Sequence, residues 1–164
     1  KDFKTLHGAW TAGVQTVPWQ IGHVGWSIGV PVKSALEWMA KNTSGNSVLS
    51  AKKWFNDEDL LGLTKTAYGI EKGWIELSAK NSGSKSPIIV IGSSPTALLN
   101  LLEILENSNE IPSLIIGMPV GFIGVRKSKE KLLNTNYPRI VVNSTRGGAA
   151  MAAAAVNALL RETI

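Results

Sequence analysis

The chain has 164 residues, a formal net charge of +5 and no cysteine, and 44% of its residues are hydrophobic while 18% are charged. This length suits one domain, and the hydrophobic share is large enough for a core, which excludes a disordered chain. Without cysteine there are no disulfides, thiolate nucleophiles or cysteine metal sites. No apolar run approaches the roughly 20 residues that a membrane-spanning helix needs. No clean apolar region follows Lys1-Asp2-Phe3-Lys4, so we do not expect a signal peptide and expect a cytoplasmic protein that does not bind membranes.

The positive charge is scattered along the chain apart from one cluster, Arg126-Lys127-Ser128-Lys129-Glu130-Lys131. We interpret this cluster as a solvated helix face, because it contains a glutamate and no aromatic residues on which bases could stack. Nucleic-acid binding is therefore not expected, although a basic nucleic-acid binder remains the weaker alternative.

The first 63 residues give few structural signals. Residues 1–30 show neither the helical nor the strand period, and we expect them to pack irregularly. Residues 33–41 fit a short helix or a strand. Residues 42–63 are polar, with a turn cluster at 42–46 and an acidic triplet, Asp57–Asp59, that we place on the surface.

Three short apolar runs rich in β-branched residues follow in the second half of the chain. They cover residues 88–91, 114–117 and 140–143, and each is typical of a buried strand. Helical spacing of apolar residues precedes and separates them. The predicted helices cover about 64–80, a segment after Ser93-Ser-Pro-Thr96, a segment starting near Ser128, and 148–160.

The alternation of strand and helix predicts an α/β fold with parallel strands joined by crossover helices. In such sheets the ligand lies beyond the carboxyl ends of the strands. Those ends carry three loops rich in glycine and hydroxyl groups, at 92–98, 117–124 and 143–148. Free N–H groups at helix starts bind anions, and Arg146 adds a guanidinium suited to a carboxylate, so we expect an anionic ligand. The alternative is that the glycines only make tight turns and the hydroxyls only cap helices.

Several common chemistries lack their motifs. Neither G-x-G-x-x-G nor G-x-x-x-x-G-K-[ST] occurs, so nucleotide binding is poorly supported. No pair of acidic residues sits at a strand end to hold magnesium, and the two histidines, His7 and His23, match no zinc spacing, so no metal site is expected. The G-x-S-x-G elbow of serine hydrolases is also missing.

At the same loops the sequence resembles the precorrin-8X methylmutase family. The matching stretches are Val90-Ile-Gly-Ser-Ser-Pro-Thr-Ala-Leu98, Ile116-Gly-Met-Pro-Val-Gly-Phe-Ile-Gly124 with Ser128-Lys129, Arg146-Gly-Gly-Ala-Ala-Met-Ala-Ala-Ala-Ala-Val-Asn-Ala-Leu159 and, more weakly, Thr64-Lys-Thr-Ala-Tyr-Gly69. Their order and spacing agree with the family over residues 64–164, and the resemblance extends back to about residue 32. We therefore expect a single domain in which residues 32–164 are methylmutase-like and residues 1–31 are unmatched.

The resemblance implies a three-layer α/β/α sandwich and a homodimer with active sites near the subunit interface. It implies an isomerase of cobalamin biosynthesis that moves a methyl group from C11 to C12 of precorrin-8X or cobalt-precorrin-8, without a cofactor. A carboxylated corrinoid would agree with the anionic ligand inferred above. With the loops, the resemblance indicates substrate binding by these residues: Lys65, Thr66, Ser93, Thr96, Pro119, Gly121, Phe122, Arg146, Gly147 and Gly148. A non-catalytic anion- or nucleotide-binding α/β module is the alternative.

The sequence departs from the family at its catalytic residue. Family members carry a catalytic histidine in a His-x-x-Gly-type motif of an N-terminal helix, and we expect this chain to lack that segment. His7 is the better candidate for the role and His23 the weaker one, but neither has the family's context. Lys65 stands where the family has arginine, so charge is kept and bidentate carboxylate binding is lost. We therefore expect corrinoid binding with weak or absent turnover.

Overall fold

The computed structural model describes residues 26–28, 48–54, 62–80 and 86–161. Parallel strands form a 5-stranded sheet in the order β2-β1-β3-β4-β5. The strands are β1 (Trp26–Ile28), β2 (Val48–Ser50), β3 (Ile88–Ile91), β4 (Leu114–Gly117) and β5 (Arg139–Val141). The helices are α1 (Lys65–Lys80), α2 (Pro95–Glu106), α3 (Val125–Leu133) and α4 (Ala149–Arg161), with a short 3-10 helix at Ala51–Trp54.

The three predicted strands are adjacent and parallel, as expected. In the register, Ile91 of β3 lies beside Gly117 of β4, and Gly117 lies beside Val141 of β5. The carboxyl ends of these strands therefore meet at one edge of the sheet.

Strands β1 and β2 were not predicted. β1 pairs with both β2 and β3, so it lies inside the sheet, within a segment that we expected to be irregular. Each of these strands has only three residues, and Gly25 and Gly29 flank β1. So short a run cannot display a period-2 pattern.

The two faces of the sheet are covered by different helices, which confirms the α/β/α sandwich. On one face, Ile88, Val90, Leu114 and Ile116 pack against α4 through Ala152, Ala153, Val156 and Leu159. On the other face, Ile89, Ile91 and Ile115 pack against α1, α2 and α3. The alternation follows the strand geometry, in which successive side chains point to opposite faces.

The helices largely agree with the expected positions. Ala67, Ile70, Trp74 and Leu77 of α1 are all buried, as their helical spacing predicted. The third helix begins at Val125 rather than near Ser128, because Gly124 adopts the left-handed conformation, with φ +73°, immediately before it.

Several expectations lie outside the described residues: those for the first 25 residues, including His7 and His23, and those for residues 33–41 and Asp57–Asp59. Within the described ranges, no helix is both long and apolar enough to cross a membrane. In the same ranges, no group of three or more histidine, cysteine, aspartate or glutamate side chains could hold a metal ion.

Candidate functional site

The carboxyl ends of β3, β4 and β5 lead into three neighbouring loops: the β3-end loop (92–94), the β4-end loop (118–124) and the β5-end loop (142–148). The strand order 2-1-3-4-5 reverses direction between β1 and β3, so that β3 borders the crevice in which doubly wound sheets bind their ligands. The strand order therefore indicates the same candidate ligand site as the sequence, at the loops that follow β3, β4 and β5.

Backbone hydrogen bonds join the loops to one another. The N–H of Met118 donates to the carbonyl of Ile91 at 2.8 Å, and the N–H of Gly148 donates to the carbonyl of Met118 at 2.7 Å. The N–H of Gly121 donates to the carbonyl of Thr145 at 3.2 Å. The β4-end and β5-end loops are thus held as one unit.

Glycine is required where these two loops touch. A Cβ atom on Gly147 would lie 2.2 Å from the carbonyl oxygen of Met118 and 2.7 Å from that of Pro119. Gly148 has φ +111°, a conformation that side chains rarely adopt. The backbone geometry therefore requires glycine at both positions, and this is what allows the two loops to approach each other so closely.

Four hydroxyl groups close a ring between the start of α1 and the start of α2. The oxygens of Thr64 and Thr96 are 2.9 Å apart, those of Thr66 and Ser94 2.8 Å, those of Ser94 and Thr96 3.0 Å, and those of Thr64 and Thr66 3.2 Å. We call these four residues the hydroxyl ring. Thr64 and Thr96 are exposed, so the ring opens to solvent.

The hydroxyl ring also caps both helices. The N–H of Ala67 donates to Thr64 Oγ1 at 3.3 Å, and the N–H of Ala97 donates to Ser94 Oγ at 3.2 Å. The positive ends of two helix dipoles therefore meet at the ring, where an anion would be favoured. A ligand oxygen would have to replace hydroxyl–hydroxyl contacts, because each hydroxyl has one proton to donate.

Lys129 corrects our interpretation of the basic cluster as a solvated helix face. Its side chain is only 1% exposed, and Nζ donates to the carbonyls of Ser144 at 2.7 Å and Arg146 at 2.6 Å. Burial lowers the pKa of the Lys129 ammonium to about 8. Within the described ranges, no carboxylate forms an ion pair with it. Ser128 is buried as well, and Lys131 is half-buried. Only Arg126, Lys127 and Glu130 are exposed as the prediction requires.

Two kinds of exposed side chain flank the loops. Arg146 is exposed, and in the described part of the chain its guanidinium has no hydrogen-bond or ion-pair partner. Phe122 and Ile123, at the tip of the β4-end loop, are each 92% exposed, with Val120 beside them at 43%. The edge of the sheet therefore presents both a free cation and an apolar tip.

The structure brings all ten predicted substrate-binding residues to this edge. Lys65 and Thr66 lie in the first turn of α1, Thr96 in the first turn of α2, and Ser93 in the β3-end loop. The remaining members belong to the two joined loops: Pro119, Gly121, Phe122, Arg146, Gly147 and Gly148. Pro119 is buried, and its backbone is one of the two that leave no room for a side chain at position 147.

Three residues of this edge were missed from the sequence: Thr64, Ser94 and Lys129. The hydroxyl ring has a signal that could have revealed it, because Thr64-Lys-Thr-Ala67 and Ser94-Pro-Thr-Ala97 repeat one pattern at two helix starts. The burial of Lys129 also has a signal in the sequence. It lies four residues after Val125 and three before Leu132, which places it on the buried face of α3.

Taken together, the strand order and the joined loops define a doubly wound α/β protein whose loops and helix starts meet at one edge of the sheet. The sequence profile of the precorrin-8X methylmutase family matches residues 31–162. The chain therefore belongs to the precorrin-8X methylmutase family.

Individual relatives agree with this assignment. A precorrin-8X methylmutase of Pseudomonas aeruginosa is 45% identical over 104 residues, which is 62% of this chain and 47% of that protein. A cobalt-precorrin-8 methylmutase of Synechocystis is 35% identical over 129 residues, which is 79% of this chain and 56% of that protein. The chain thus spans about half the length of the curated relatives that it matches.

A solved structure is also similar. The crystal structure of precorrin-8X methylmutase from Thermus thermophilus superimposes with a TM-score of 0.66 at 26% sequence identity, covering 85% of this chain and 66% of that one. The similarity in fold and in sequence thus points to the same family.

Proposed function

We propose that this chain binds a carboxylated corrinoid at the edge formed by the β3-, β4- and β5-end loops, and that its protein is an isomerase of cobalamin biosynthesis. The proposed reaction moves a methyl group from C11 to C12 of precorrin-8X or cobalt-precorrin-8, giving hydrogenobyrinic or cobyrinic acid. The observation that carries the proposal is the placement of Arg146 beside the joined glycine loops, in a chain of this family.

The chemistry of the edge suits such a ligand. A corrinoid has an extended apolar ring system edged by acetate and propionate groups. Arg146 can bind one carboxylate through two parallel hydrogen bonds. Lys65 and the positive ends of α1 and α2 favour further negative charge. Phe122 and Ile123 supply the apolar surface for the ring.

The reaction needs a proton donor near the ring as the methyl group moves, and no cofactor. Lys129 has a pKa of about 8, but its ammonium donates to loop carbonyls and so acts on the loop rather than on a ligand. Histidine is the usual donor near neutral pH. His7 is the better candidate for the acid in this sequence and His23 the weaker one. Since neither has the context of the family's catalytic histidine, we expect this chain to convert its substrate slowly or not at all.

We also propose that the protein works in the cytoplasm as a homodimer with its sites near the subunit interface, as the family resemblance implies. The exposed apolar tip at Phe122 and Ile123 supports an arrangement in which a neighbouring surface lies close to the ligand.

A competition experiment distinguishes this proposal from a general anion- or nucleotide-binding module. Hydrogenobyrinic acid is coloured, so its binding is followed by its absorbance spectrum, and ATP is then added as a competitor. The proposal predicts that the corrinoid binds more tightly than ATP. Tighter binding of ATP would favour the general module, and an affinity that depends on salt but not on which anion is added would favour nonspecific charge attraction.

A further inference from the structure

Lys129 is buried on one face of α3, whereas Lys65 and Lys127 are exposed and Lys72 and Lys131 are half-buried. Val125, Ser128 and Leu132 share that face, and all of them are at most 1% exposed. Burying an ammonium costs free energy, and within the described ranges no carboxylate compensates it. Simple packing would be served better by methionine or leucine at this position, so the charge calls for another explanation.

The two hydrogen bonds of Lys129 suggest that explanation. Nζ bonds the carbonyls of Ser144 and Arg146, and Gly148 of the same loop bonds the carbonyl of Met118. A cation that holds two carbonyls of one short loop fixes the direction of the peptide groups between them. Those peptide groups carry Thr145 and Arg146, whose side chains are exposed at the proposed site.

We propose that Lys129 is a positioning residue that fixes the β5-end loop in its ligand-binding conformation and places a buried positive charge beneath the anion held by Arg146. This inference rests on the proposed function for its ligand. We call the two hydrogen bonds from Lys129 to the carbonyls of Ser144 and Arg146 the Lys129 clamp. This clamp can be tested without any ligand.

The charged groups on the elements around Lys129 do not neutralise its ammonium, so its charge changes as pH passes its lowered pKa. On α2, which packs against α3, Glu106 and Glu103 lie 3.0 and 3.9 Å from Lys131. On β5, Arg139 donates to the carbonyls of Thr135, Tyr137 and Leu133. The β5-end loop carries Arg146, and α3 itself carries the exposed charged residues Arg126, Lys127 and Glu130. None forms an ion pair with Lys129, and burial holds its pKa at about 8.

The affinity for an anionic corrinoid should therefore fall as pH rises through about 8. Below this pH the ammonium is charged and attracts the carboxylates, whereas above it the amine is neutral. A variant in which arginine replaces Lys129 should keep its affinity at high pH, because guanidinium stays charged.

The test uses the full chain, with Lys129→Met, Lys129→Arg and, as a matched control, Lys127→Met, which removes an exposed lysine from the same helix. Hydrogen exchange at the amides of Gly121 and Gly148 reports on the clamp, and titration with hydrogenobyrinic acid from pH 7 to 9.5 reports on binding. Circular dichroism checks that each variant folds.

We expect faster exchange of the Gly121 and Gly148 amides in Lys129→Met and wild-type exchange in Lys127→Met. We also expect Lys129→Met to bind the corrinoid about 10-fold or more weakly at pH 7, as loss of two charge-assisted hydrogen bonds implies. Its affinity should then be insensitive to pH, and Lys129→Arg should recover part of the loss.

Equal exchange and equal affinity in the Lys129→Met and Lys127→Met variants would overturn the inference. So would a wild-type affinity that does not fall between pH 7 and 9.5. If the wild type binds no corrinoid while exchange still accelerates in Lys129→Met, the proposed function fails and the clamp stands. If Lys129→Met does not fold, the wild-type pH profile alone decides.

Discussion

The carbonyl oxygen of Met118 lies 2.2 Å from the position that a Cβ atom on Gly147 would occupy. The backbones of the β4-end and β5-end loops are therefore in direct contact. The N–H of Gly148 stabilises this contact by donating a hydrogen bond to the carbonyl of Met118. A Gly147→Ala substitution should force the loops apart. We expect it to lower the free energy of unfolding by about 1–3 kcal/mol, the usual cost of overpacking, and to weaken corrinoid binding.

Urea denaturation of Gly147→Ala measures that loss. Thr145→Ala is the matched control, because Thr145 is exposed in the same loop and contributes its carbonyl rather than its side chain to the loop contact. Wild-type stability and affinity in Gly147→Ala would show that the loops can separate without consequence.

The hydroxyl ring predicts different effects for two of its members. Ser94→Ala removes both a ring hydroxyl and the cap of α2, so it should cost about 1 kcal/mol of stability. Thr96→Val removes an exposed ring hydroxyl that contacts only other hydroxyls in the described structure, and it keeps the side-chain shape. It should therefore change stability by less than about 0.5 kcal/mol. Chemical denaturation of the two variants gives the comparison. A larger loss in Thr96→Val than in Ser94→Ala would contradict this assignment of roles.

Stability should depend on pH in the direction opposite to binding. The pKa of Lys129 is lowered from 10.5 to about 8 by burial, so between these values the unfolded chain holds more protons than the folded one. The free energy of unfolding therefore rises with pH across this window. The difference in stability between the wild type and Lys129→Met, measured at pH 7.5 and pH 10, isolates this group. A difference that is constant or moves the other way would show that the ammonium is not buried in solution.

Asn157 is a buried polar residue without an evident partner. It is 3% exposed in α4, and neither atom of its amide forms a hydrogen bond in the described structure. An unsatisfied buried amide costs about 1–3 kcal/mol, so Asn157→Leu should raise the melting temperature. Asn157→Asp serves as the opposite control, because it places a charge there and should lower it. A lower melting temperature in Asn157→Leu would indicate that the amide has a partner in solution.

Turnover of precorrin-8X tests the position of the acid. Neither His7 nor His23 stands in the sequence context of the family's catalytic histidine, so we expect slow conversion that His7→Ala and His23→Ala leave unchanged. A missing acid should cost roughly 10²–10⁴-fold in rate while binding is kept. Near-normal conversion that collapses in one of the two variants would contradict this expectation and identify the acid.

The limits of the sequence as a guide have physical causes. Strands β3 and β4 were predictable because both of their faces are buried, which requires continuous apolar runs such as Ile88–Ile91. Strand β1 was not predictable, because its three residues are defined as a strand only by their pairing with β2 and β3. Such pairing is a long-range property that a local pattern does not contain.

The candidate site shows the same division. The loops at strand ends were predictable because parallel strands place their carboxyl ends at one edge. Lys129 was misjudged because a lysine in a charged run is usually solvated. Only its spacing from Val125 and Leu132 shows that it faces the core, and only the fold shows that Ser144 and Arg146 are within its reach.

The central claim is that Arg146 and its neighbouring loops bind a carboxylated corrinoid, and spectroscopic titration with hydrogenobyrinic acid tests it most directly. The titration compares the wild type with Arg146→Met and with Arg126→Met, which removes an exposed arginine from α3. The account predicts a saturable spectral change for the wild type and Arg126→Met, and an affinity about 10-fold or more weaker for Arg146→Met. No spectral change at high protein concentration, or equal affinities for the two variants, would contradict it.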